Sequence, residues 1–151
     1  MTPSEPICRL IATMQPSLVM YLADSGIWSY PGPEPVKLAL ADAADGLQSV
    51  IERATTLLGQ REVIAPRKAA YPLSFTGLHD ADLGTLLPRV IAGLKRQHAD
   101  LEGLTGAAGA DAAAAELVAD AMQSTRQHVD ALEQLAARLK AGLAGSSTTA
   151  G

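Results

Sequence analysis

Cysteine is almost absent from this 151-residue chain. Cys8 stands alone, so no intramolecular disulfide can form, a Cys-rich metal site is excluded, and a reducing compartment fits the composition. Basic clusters are lacking too. With a net charge of -4 and no grouped Lys or Arg, the chain offers no broad footprint for nucleic acid or an anionic membrane surface, and neither is expected as a partner. No stretch approaches the ~18 uninterrupted apolar residues of a membrane span. Near the start, Glu5, Pro6 and Arg9 stand where a signal peptide needs a basic start and an apolar run, so a soluble, cytoplasmic protein is expected. Phosphate-binding loops of the GxxxxGK[ST] kind and G-x-S-x-G nucleophile elbows are missing as well. Aromatic residues make up only 3% of the chain.

What is present is Ala and Leu, both strong helix formers, while β-branched residues never alternate with polar ones over a strand length. An all-α fold follows. Gly and Pro gather at 25–35, 59–77 and 104–111 and in the tail, leaving four segments of helical length. That count suits an antiparallel four-helix bundle with a long connection between its second and third helices. The bundle is expected to span 1–145 as one domain, with 146–151 a flexible tail.

Ser4, Glu5 and Pro6 open the first segment, whose apolar stripe is Ile7, Leu10, Ile11, Met14, Leu18 and Leu22. Pro16 inside that stripe predicts either a kink or two shorter helices. The second segment starts near Glu34 and Pro35, with a seam at Leu40, Ala44, Leu47, Ile51, Ala54 and Leu58. The third carries Leu83, Leu87, Val90, Leu94, Gln97 and Leu101. Its cap is either Asp80, with Asp82 in the first turn, or Thr85, with Pro88 in the first turn. In the fourth, Asp111 is the expected cap and the seam runs Val118, Met122, Thr125, Val129, Leu132, Ala136, Leu139 and Leu143. The Ala-rich run 107–115 reads as a frayed helix start.

Two stretches resemble the ferritin-like superfamily. The string TRQHVDALEQL, from Thr125 to Leu135, is similar to its final helix, with His128, Val129, Asp130 and Glu133 matching the Glu-x-x-His-Ile-Asp-x-x-Glu pattern. Residues 41–63 look like its second helix running into a Leu-Gly end. The resemblance implies a bundle whose interior holds a di-iron centre, yet the ligands that the family uses are replaced here. Thr125 stands where a bridging Glu belongs. The Glu-x-x-His positions of the second helix fall on Asp42 and Asp45 or on Ala44 and Leu47, the first helix offers Met14 and Leu18, and the third offers Gln97. One imidazole with amide and hydroxyl neighbours leaves iron undercoordinated and its charge uncompensated, so no metal and no cofactor are expected.

Two groups of residues remain as candidate sites. Gln97, Thr125 and His128 form either a self-satisfied polar core or the lining of a small pocket. The long connection holds Tyr71, Phe75 and His79, which with Trp28, Tyr30 and Tyr21 form either a cap on one end of the bundle or a strap site for a ligand or partner. The expected function is a non-catalytic bundle acting through protein association, as a homodimer or with another protein. The alternatives are a ferritin-like metal or redox protein with a reduced ligand set, and a small-molecule-binding bundle.

Overall fold

The computed structural model describes residues 3–78 and 80–149, with side chains described through residue 142. It is 76% helix, and no strand occurs among the described residues. Six helices pack together: α1 (Glu5–Met14), α2 (Leu18–Ser25), α3 (Glu34–Gln60), α4 (Leu83–Glu102), α5 (Thr105–Ala108) and α6 (Ala112–Thr149). Pro16 divides the first segment into two helices. Its nitrogen cannot donate, so α1 ends at Met14, and Ser17 starts α2 afresh by accepting a hydrogen bond from the Met20 amide at 3.3 Å.

The seams sit where the periodicity puts them. Leu40, Leu47, Ala54 and Leu58 of α3, every seam residue of α4, and Val118, Thr125, Val129 and Leu132 of α6 are buried in one continuous core. Helix α6 packs on α4 and on α3, and α3 packs in turn on α1 and α2. Buried alanines at 43, 44, 54, 108, 114 and 121 take the place that large side chains fill elsewhere. Helix α6 continues through Thr149, into the segment expected as a tail.

Three local expectations are corrected. Neither Asp80 nor Thr85 caps α4: Asp82 does, its Oδ1 accepting from the Gly84 amide at 2.8 Å and the Thr85 amide at 3.3 Å. Pro88 therefore lies inside α4, where it provides no N–H for the carbonyl of Gly84. The Ala-rich run is not a frayed start, because Thr105–Ala108 forms its own short helix and α6 begins separately at Ala112.

One end of the molecule is tied by Arg61, just past α3. Its guanidinium donates to Asp111 at 2.9 Å and to Ser4 Oγ at 3.4 Å, so the starts of α1 and α6 meet the end of α3 there. The Ser4 hydroxyl accordingly makes no cap bond to α1. Asp111 also caps α6, accepting from the Ala113 and Ala114 amides. The Arg61 guanidinium holds the Asp111 carboxyl below its usual value near 3.8, with the two amides assisting. A depressed carboxylate pKa contributes stability that is present above the unfolded value and is lost as the pH falls through the folded one. Asp111→Ala should lower the melting temperature at pH 7 by a few degrees, and Asp111→Asn by less, because Asn keeps the cap and loses only the ion pair. In thermal melts repeated at pH values falling below 3.8, the gap between wild type and Asp111→Asn should narrow progressively.

Candidate functional site

Gln97 on α4 and Thr125 on α6 meet in the core, 4% and 1% exposed, with the Gln97 amide nitrogen donating to Thr125 Oγ1 at 3.2 Å. The Thr125 hydroxyl spends its own proton on the Ala121 carbonyl, 2.8 Å away. That commitment fixes the amide: Gln97 must present its NH₂ to Thr125, and its buried carbonyl oxygen has no donor among the described residues.

His128 does not join this pair. It faces α3, where Gly46 leaves the space its ring occupies: a Cβ built on Gly46 would lie 2.3 Å from His128 Nε2. Burial pushes the imidazole pKa below its usual 6.5, and the nearby Asp42 carboxylate partly opposes that shift. The expected polar core is thus two residues and a separate imidazole in a glycine notch. Among the described residues, no group of three or more His, Cys, Asp or Glu is placed to hold a metal ion.

The connection from 61 to 82 behaves as a strap pinned to α2. Tyr71 Oη and Lys68 Nζ both donate to Asp24 Oδ2, the latter at 2.6 Å. Lys68 and then Tyr71 hold the Asp24 carboxyl below the usual range, while burial and the Asp24 bond push the Tyr71 phenol up to about 12. Tyr21 of α2 sits edge-on to Tyr71 with centroids 5.2 Å apart and packs on Phe75 at 5.4 Å. The remaining aromatic residues lie elsewhere. Tyr30 buries its ring, whereas Trp28 is 57% exposed, contrary to a cap in which every ring is buried. His79 lies outside the described residues.

Between α2, the strap and α4 lies a cleft of about 460 Å³. Ser17 and Val19 line it from the start of α2, Phe75 from the strap, and Arg89, Arg96 and Gln97 from α4. The cleft therefore joins one residue from each group that the sequence singled out, Gln97 and Phe75. The two arginines went unnoticed because each alone looks like a solvated helix face. Their seven-residue spacing, with Gly93 between them, puts them on one face two turns apart. A Cβ on Gly93 would meet nothing within 4 Å.

Three measurements check these arrangements. Thr125→Val strands the Gln97 amide as well as its carbonyl and should cost about 1 to 3 kcal/mol in denaturant unfolding, while Gln97→Leu should be neutral or stabilising. Gly46→Ala should destabilise wild type by displacing the His128 ring, yet stabilise a His128→Ala background by about 1 kcal/mol, the ordinary helix preference for Ala over Gly. Because the folded imidazole favours its neutral form, His128 contributes stability above its unfolded pKa and loses it as the pH falls below about 6.5 toward the folded value. Unfolding free energies from pH 7.5 to 5 should show that slope in wild type and a weaker one in His128→Gln.

Compared with known proteins, the chain matches no family model, no curated protein and no solved structure.

Proposed function

We propose that the chain is a ferritin-like four-helix bundle without a metal centre that binds a small molecule in the cleft beneath the strap. In this bundle α1 and α2 together form the first helix, followed by α3, α4 and α6, and the strap makes the long crossover between the second and third. The order in which α4, α6, α3 and α1 pack on one another supports that arrangement. The binding reading is carried by one observation: a cleft of ligand size, walled by α2, the strap and α4 and lined by both apolar side chains and two arginines. Clefts of a few hundred Å³ with an apolar wall and a few convergent polar groups are the usual form of small-molecule sites.

A screen of neutral, anionic and cationic fragments by two-dimensional amide NMR tests this reading. Perturbed amides should gather at Ser17–Val19, Ser74–Phe75 and Arg89–Gln97, and Gly93→Leu should abolish the effect while leaving the fold intact, because that position opens onto free space. Fragments that perturb other surfaces only, or bind Gly93→Leu equally well, would exclude the cleft.

Exposed apolar side chains favour a second reading, association with another protein or with a second copy of the chain. Trp28, Leu38, Ile64 and Leu73 are 57%, 54%, 92% and 85% exposed. Sedimentation of wild type beside Trp28→Ser and Leu73→Ser decides it: a dimer lost in either variant supports association, and a monomer throughout removes the homodimer.

A further inference from the structure

The charges around the cleft say what kind of molecule fits it. We propose that the ligand is an amphipathic organic anion, with a carboxylate or phosphate head at Arg89 and Arg96 and an apolar body along Pro16, Pro72 and Phe75. This rests on the cleft being the binding site.

Among the described residues neither arginine is paired with a carboxylate, although five other ion pairs form on the same molecule. Arg89 and Arg96 lie on one face of α4, about 10 Å apart along the axis at 1.5 Å per residue. Both line the cleft, and the stretch between them is bare backbone at Gly93, so a head group can approach the helix closely there. Guanidinium groups hold oxyanions by donating two parallel N–H bonds to a pair of oxygens, the chemistry that carboxylate and phosphate share.

Two further features give the site a direction. Asp100 lines the cleft one turn beyond Arg96, so the field is most positive toward Arg89, and the head is drawn to that end. Ser17, whose oxygen accepts from the Met20 amide, keeps its hydroxyl proton for another acceptor, and the positive end of α2 begins beside it. Away from α4 the wall is apolar, lined by Pro16, Pro72 and the half-buried Phe75, whose ring packs against Tyr21. An inorganic ion leaves that wall unused, whereas an aryl or short alkyl body covers it.

Titrations of the whole protein at low ionic strength, followed by amide NMR, test the class with phenyl phosphate, benzoate, benzyl alcohol, benzylamine and inorganic phosphate. Phenyl phosphate and benzoate should bind about tenfold or more tightly than benzyl alcohol, and should weaken as salt is added. Arg89→Gln should weaken both anions by about tenfold and leave benzyl alcohol unchanged; Arg96→Gln should do less, and Asp100→Asn should tighten both. The relative strength of the two anions separates a phosphate head from a carboxylate. Benzyl alcohol or benzylamine binding as tightly as the anions would overturn the anion class while leaving the cleft as a binding site. Inorganic phosphate binding as tightly as phenyl phosphate would overturn the apolar body. Perturbation at the cleft by none of the five, alongside a fragment screen that is also silent there, would remove the site itself.

Discussion

A single missing amide proton organises one side of this protein. Pro16 cannot donate to the carbonyl four residues back, so the first helical segment cannot run straight through, and α1 stops at Met14. Ser17 then provides the acceptor that lets α2 start again. The restart carries Tyr21 and Asp24 to the strap, where they hold Tyr71, Phe75 and Lys68. Without the break there is no separate α2, and without α2 the strap has nothing to rest on. The cleft is the space left between them and α4.

The opposite kind of constraint acts at the other end, where Arg61 reaches Ser4 and Asp111. With the Arg61 and Asp111 side chains 26% and 14% exposed, the pair is shielded enough to fix geometry and wet enough to avoid a large desolvation cost. The core between these two ends is built from Leu, Ile, Val and Ala. Its small side chains allow close approach of helices, and that leaves Gly46 as the place where a ring as large as the His128 imidazole can enter between α3 and α6.

Much of this was legible in the sequence because burial imposes a period of 3.6 residues on whatever faces a core. The seams of α3, α4 and α6, the Asp111 cap and the division at Pro16 all express that period or its interruption. The start of α4 was less legible: Asp80, Asp82 and Thr85 all have capping side chains, and only the three-dimensional path of the strap selects Asp82. Pairings across elements left no local trace. Nothing near Asp24 announces Tyr71, 47 residues away, and nothing near Gly46 announces His128. Arg89 and Arg96 gain meaning only when α2 and the strap stand opposite them.

Two hydrogen bonds from the strap converge on one atom, Asp24 Oδ2. A segment held by many scattered contacts frays gradually, each contact opening on its own. Two bonds that share an acceptor behave otherwise, because Lys68 and Tyr71 lose it in the same event that turns the carboxylate away. The rings follow, since Tyr71 and Phe75 share Tyr21 as their partner. Opening around residues 68–75 is therefore coupled: the two polar bonds and the ring contacts to α2 are lost together, while Val63, Ala65, Leu78 and Ala81 pack on the core independently of Asp24.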